Sequence, residues 1–339
     1  MTRRLLVFVV VVAVVGIASV AYAVRDYDRY HEAHTAAPSV PSTDPSTIAD
    51  GPRIVFRHTG VDDHYGQLAM VSLADPSGPR AFLDRTCDRV YATDDRASCL
   101  VIRRGVVTKY EALDLDADWS VVRTTDLPGI PSRTRLSPDG RLVATTSFVT
   151  GHSYMTTGFS TATEVRRFDG RSYGNLEDFT FVLDGRPVTR RDRNVWGVTF
   201  ADDDRTFYAT VSTGGTTYLV RGDLADRTLT ALTENAECPS LSPDGKRVAF
   251  KVDLARGAAR EWAVAVLDLA TGTRTQIDGT RGLDDQVAWL DDDTILYGLP
   301  RDDDPGTTDV WAVDTRRAAA PRLLIEQAWS PAVIGTSGP

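Results

Sequence analysis

Three acidic runs are the residues best suited by type and spacing to chemistry: Asp202-Asp203-Asp204, Asp291-Asp292-Asp293 and Asp302-Asp303-Asp304. Adjacent carboxylates offer the oxygen ligands that calcium takes. Aspartate is also a favoured turn former, and the first two runs fall between β-rich stretches, where they read as solvated turns. Asp302, Asp303 and Asp304 lie instead in a loop with Pro305 and Gly306. If a cation binds, that run is the place for it; no metal and no other cofactor is assigned. His31 and His34 stand one residue short of the helical spacing in HExxH. His58, His64 and His152 show no ligand spacing.

Nucleophiles are no better arranged. Gly151-His152-Ser153-Tyr154-Met155 and Gly158-Phe159-Ser160-Thr161-Ala162 each lack the second glycine of G-x-S-x-G. The three cysteines, Cys87, Cys99 and Cys238, form no CxxC pair and are too few for a disulfide scaffold. Cys87 and Cys99 flank a predicted strand turn. In an oxidising compartment they could bridge, or both could stay reduced, because spacing does not fix connectivity. Cys238 is then a lone thiol in apolar packing. The net charge of −9 and pI near 5.1 repel phosphate backbones, so no nucleic acid is expected.

The elements that would carry any site begin with an apolar run over residues 5–24, LLVFVVVVAVVGIASVAYAV. Its length matches the roughly 30 Å hydrocarbon layer of a bilayer. Arg3 and Arg4 precede it, which places the rest of the chain outside the cytoplasm. Residues 1–27 therefore read as a single-pass signal anchor in the cell membrane. The rival reading is secretion after cleavage following Ala23, since Ala21-Tyr22-Ala23 fits the small-x-small pattern. The run exceeds the ~7–15 apolar residues usual in a signal peptide, which favours the anchor. Residues 28–51 are rich in Pro, Ser, Thr and Ala and read as a flexible linker.

From residue 52 onward, short β-rich runs alternate with turn residues. Two stretches nearly repeat. Ser137-Pro138-Asp139-Gly140 and Ser242-Pro243-Asp244-Gly245 each join two strands. Proline sets φ near −65°, aspartate bonds its own backbone, and glycine accepts positive φ. Degenerate copies occur around Asp95, Asp203 and Asp292. Taking these five aspartates as equivalent gives spacings of 44, 64, 41 and 48 residues, the ~40–50 of a four-stranded propeller blade. The long interval makes an enlarged third unit over about 130–186. A second signature, as in Val266-Leu267-Asp268-Leu269-Ala270-Thr271-Gly272, marks third strands near Asp114, Asp223 and Asp314, with a weaker copy at residues 70–74.

Five units are complete, and the first, over 53–84, lacks its inner strand. Residues 329–334 carry the Ser-Pro of that strand, so they are expected to pair with 53–58 and close the ring. The fold class is then all-β: a six-bladed β-propeller over 52–336, preceded by one transmembrane helix and a linker. A monomeric propeller is expected.

These turns, the DLATG signature and the blade length resemble TolB-like propellers and the related WD40-like PD40 repeat, over about 52–334. The closer resemblance is to membrane-anchored, single-domain TolB-like propellers of bacterial envelopes. The chain shows no α/β domain before the propeller, so a Tol–Pal role does not follow. The resemblance implies a non-catalytic binding or scaffold module facing a protein or peptide partner, with the membrane engaged through the N-terminal helix. Whether it is an enzyme stays open, leaning against. The alternative is an exported, metal-dependent lactonase-type hydrolase using the central channel. The enlarged third blade supplies the expected partner loop: His152 and Tyr154 in one polar segment, Arg171 and Tyr173 in another.

Overall fold

The computed structural model describes residues 3–149, 160–190, 192–255, 260–302, 304, 306–317 and 319–335. Asp303, His152 and Tyr154 lie outside them. An apolar helix, Arg3–Thr35, leads the chain, and its stretch Arg3–Arg29 is long and apolar enough to cross a membrane. Such a helix fits a membrane anchor or a signal sequence.

The remaining chain forms six sheets arranged as a β-propeller. Blade 2 is typical, with strands Arg89–Ala92, Ala97–Arg103, Lys109–Leu115 and Val121–Asp126 running from the centre outward. Blade 1 takes its innermost strand from the far end of the chain. Ala328–Ile334 pairs antiparallel with Arg53–His58, with Arg53 opposite Ile334 and His58 opposite Ala328. That pairing covers an edge on each side of the closure. Apolar side chains fill the seams between blades: Val55, Leu68, Cys99 and Leu113 meet between blades 1 and 2, and Phe56, Leu296 and Val310 between blades 1 and 6.

The Ser-Pro-Asp-Gly turns fold alike. Asp139 Oδ1 accepts from Ser137 Oγ at 2.6 Å and from the Arg141 N–H at 3.0 Å. Asp244 does the same with Ser242 at 2.6 Å and Lys246 at 3.1 Å. Gly140 and Gly245 sit at φ 67° and 68°, where a Cβ is unfavourable. Asp203 serves the equivalent turn of blade 4, accepting from Arg205 and Thr206. In blade 6 the accepting carboxylate is Asp291, not Asp292. That turn is one residue tighter, closing Leu290 N–H to Thr294 O where Ser137 reaches Leu142. The third-strand signature has its own logic. Asp223, Asp268 and Asp314 each accept the N–H groups two and three residues on, capping the outer hairpin.

The structure differs from the sequence reading in two stretches. Residues 28–51 are not a featureless linker. The helix continues to Thr35, since no breaker precedes Pro38, and Ser42–Thr43 pairs in parallel with Arg80 and Ala81 on the outer edge of blade 1. Ile48 is buried there. A Pro/Ser/Thr composition does not prevent edge pairing where open N–H and C=O groups are offered. The long interval of the third unit also divides. Blade 3 ends with Ser172–Asn175, and Thr180–Leu183 crosses over to lie parallel to Thr228–Glu234 on the outer edge of blade 4. Phe179 and Phe181 are fully buried by that move.

Candidate functional site

The six innermost strands surround the central channel, and strand polarity gives the ring two faces. One face carries the Ser-Pro-Asp-Gly turns between first and second strands. At that mouth a funnel of about 290 Å³ is lined by Tyr91, Pro138, Phe200, Leu241, Pro243 and Trp289. Trp289 Nε1 donates to Ser240 O at 2.9 Å, which fixes the indole in the wall. The funnel wall mixes these apolar side chains with polar ones, Asp94, Asp202 and Thr199 among them, and Arg135 is shared with the gap below.

Below the funnel the channel narrows to a gap of about 30 Å³ between Arg89, Arg133, Arg135 and Asp285. Arg89 comes from the inner strand of blade 2, and Arg133 and Arg135 from that of blade 3. Alternation along a strand puts residues 133 and 135 on one side. Asp285 precedes the inner strand of blade 6. Its Oδ2 lies 2.7 Å from Arg89 Nη1 and its Oδ1 3.0 Å from Arg133 Nη2. Burial raises the Asp285 pKa, but the two arginines outweigh burial and hold it below the usual carboxylate range. Burial is also the main cause lowering the Arg89 pKa, against the pull of Asp285. Arg135 lies over the Tyr91 ring at 4.4 Å and donates to Val287 O at 3.2 Å.

Backbone irregularities shape this waist. Gly197, Cys238 and Ser330 adopt positive φ at bulges in the inner strands of blades 4, 5 and 1. Gln286 spans the carbonyls so released, donating to Pro239 O at 2.6 Å and Val198 O at 3.2 Å.

Of the residues singled out by sequence, Pro138, Asp202, Ser242 and Pro243 line the funnel, and the other candidates fall elsewhere. Asp302 and Asp304 are exposed, and Asp304 is engaged by Thr307 Oγ1 at 2.6 Å as a turn acceptor. No group of three His, Cys, Asp or Glu side chains able to hold a metal occurs among the described residues. Arg171 is exposed in the outer hairpin of blade 3, and the Tyr173 carbonyl accepts from Arg227. This hairpin packs at the Ser-Pro-Asp-Gly end of the blade, with Phe168 N–H on Arg141 O at 2.7 Å. Val149 and Ser160, which bracket the segment of His152 and Tyr154, pair at the opposite end. Cys87 and Cys99 form a disulfide, with Cα atoms 5.5 Å apart, and Cys238 is a buried free cysteine.

Sequence reasoning missed Arg89, Arg133, Arg135 and Asp285. A signal was present: two arginines at i and i+2 in an innermost strand, directly before a Ser-Pro-Asp-Gly turn, must face either the channel or a blade seam.

No family model and no curated protein matches the sequence. Solved structures do. TolB from Acinetobacter baumannii superposes with a TM-score of 0.58 at 17% identity, covering 83% of this chain and 66% of that one. The fold is that of TolB-like propellers. A nidogen/laminin complex contains a chain with TM-score 0.56 at 13% identity, covering 84% of this chain and 98% of that one. An oligogalacturonate lyase from Vibrio parahaemolyticus gives 0.46 at 10% identity, over 73% and 72% of the two chains. At these identities the TolB-like fold is shared, and function is decided by the site. This chain spans about two thirds of the Acinetobacter TolB chain.

Proposed function

We propose that this protein is a non-catalytic binding module of the cell envelope, held on the outer side of the membrane by its N-terminal helix, and that it engages a protein or peptide partner at the funnel. One observation carries the reading: a preformed cup in which Tyr91, Phe200, Trp289, Pro138 and Pro243 stand among polar wall residues, opening over a buried basic waist. Rigid aromatic surface binds at low entropic cost and is enriched at recognition sites. The carboxylate at the waist, Asp285, is neutralised by two arginines instead of being offered to a metal or a substrate proton, which weighs against a lactonase-type hydrolase. A chain of similar fold is seen in a nidogen/laminin complex, so the architecture accommodates protein recognition. Retention of the helix as an anchor is supported by its run to Thr35 and by the Asp63 N–H bond to Ala36 O, which docks the chain as soon as the helix ends.

A photo-crosslinking residue placed at Pro243, on the funnel, tests the reading in intact cells against the same residue at Val122, exposed on the outer strand of blade 2. A discrete protein or peptide adduct from position 243 alone is expected. No adduct from 243, or equal adducts from both, overturns the reading. Edman sequencing of membrane-extracted protein should return the intact Met1 terminus, and a terminus at Val24 would replace the anchor with a cleaved signal.

A further inference from the structure

Arg135 is a buried cation with no ion-pair partner among the described residues. It is 6% exposed, and its Nη2 meets a backbone carbonyl. The Nε atoms of Arg133 and Arg135 are buried with no hydrogen-bond partner among the described residues. A guanidinium does not discard its proton to relieve burial. Three guanidinium groups thus border a gap that holds one carboxylate, Asp285. The imbalance sits on an otherwise acidic protein of net charge −9.

The gap has a size and an access route. Its 30 Å³ admits about two water-sized atoms, the footprint of the two oxygens of a carboxylate. Tyr91, Arg135 and Ala288 line both the gap and the funnel above it, so the two spaces adjoin. The planar fork of arginine matches a carboxylate and binds it with charge-assisted hydrogen bonds.

We infer that the waist is a carboxylate-binding subsite: the ligand that fills the funnel inserts a carboxylate between Arg133 and Arg135, beside the Arg89–Asp285 pair. This rests on the reading of the funnel as a peptide-binding site. The apolar body of the ligand lies against Tyr91, Phe200 and Trp289, and the carboxylate supplies the missing counter-charge. The carboxylate belongs either to a chain terminus or to an acidic side chain.

Saturation-transfer NMR on the full chain in nanodiscs tests this with three probes: acetyl-phenylalanine, acetyl-phenylalanine amide and acetyl-glutamyl-phenylalanine amide. The acid should bind at least about tenfold more tightly than its amide, as loss of a charge-assisted pair implies. Tight binding of the glutamyl amide assigns the site to a side-chain carboxylate, and weak binding assigns it to a terminus. Arg135→Gln should abolish the preference for acid, and Arg103→Gln, on an exposed hairpin, should keep it. Binding of the acid and of the glutamyl amide no tighter than that of acetyl-phenylalanine amide by the wild-type chain, or a preference for carboxylate that survives in folded Arg135→Gln, overturns the inference. The wild-type comparison needs no variant to fold. A discrete crosslink from position 243 with no preference for carboxylate sinks the subsite alone, and loss of that crosslink sinks the funnel reading.

Discussion

Arg166 holds Asp114 through both terminal nitrogens, at 2.7 and 2.6 Å, across the seam between blades 3 and 2. Asp114 is fully buried and Arg166 is 4% exposed. Asp114 occupies the third-strand signature of blade 2, yet it does not cap the hairpin as Asp223, Asp268 and Asp314 do. Asp116, two residues on, accepts from Asp118 and Ser120 in its place. Removing Arg166 leaves the buried Asp114 only the partly exposed Arg123, 3.8 Å away, so Arg166→Met should cost about 3 kcal/mol in urea unfolding. The double variant Arg166→Met with Asp114→Leu should recover most of that loss. A double variant as unstable as the single one would show that the seam needs the ion pair itself.

The closure of the ring carries a pH dependence. Arg80 Nη1 donates to His58 Nδ1 at 2.9 Å, which leaves the Nε2 proton for Asp62 at 2.9 Å. The same arginine donates to Glu326 O at 2.8 Å, just before the closing strand, and burial pushes its own pKa down to about 10. Burial is the largest influence on His58 and lowers its pKa below 6.5, outweighing Asp62. A histidine with a depressed folded pKa stabilises the protein above the unfolded value, and that stability is lost as pH falls from 6.5 toward the folded pKa. Denaturant midpoints between pH 7.5 and 5 should fall more steeply for wild type than for His58→Gln. Equal slopes would remove His58 from the account.

The disulfide joins the segment entering blade 2 to that blade's second strand, 12 residues on. Closing a loop of that size stabilises by about 2–4 kcal/mol. Cys87→Ser with Cys99→Ser, or growth in a reducing compartment, should lower the thermal midpoint measurably. Both sulfurs are fully buried in the seam between blades 1 and 2. An unchanged midpoint would mean that the apolar seam alone sets stability there.

The two matching turns separate backbone cost from contact cost. A Cβ on Gly245 meets open space, whereas one on Gly140 falls 3.0 Å from Arg96 Cδ and 3.2 Å from Thr93 Oγ1. Gly245→Ala should cost about 1 kcal/mol from positive φ alone, and Gly140→Ala should cost more. Equal losses by thermal denaturation would show that Arg96 yields freely.

Local chemistry was the legible part of this sequence. Asp139 and Asp244 form their turns through atoms two residues away, so five residues suffice to specify the geometry. Repetition of such turns at blade-length spacing carried the propeller and the count of its blades. The Ser-Pro of residues 330–331 pointed the last strand toward the first for the same reason. Edge pairing by residues 42–43 and the crossing of 180–183 to blade 4 were not legible, because a strand added to an edge needs only free backbone groups, which composition does not encode.

The anchor-like helix, the repeat and the turns that build each blade are written in the residues, since each depends on contacts between near neighbours. The channel comes from the folding of the whole ring. Arg89 and Asp285 are 196 residues apart and meet at 2.7 Å because ring closure brings the inner strands of separate blades around one axis. Charges that read as unrelated along the chain become one basic waist there, and of the aspartates that drew attention first only Asp202 reaches the funnel wall among the described residues.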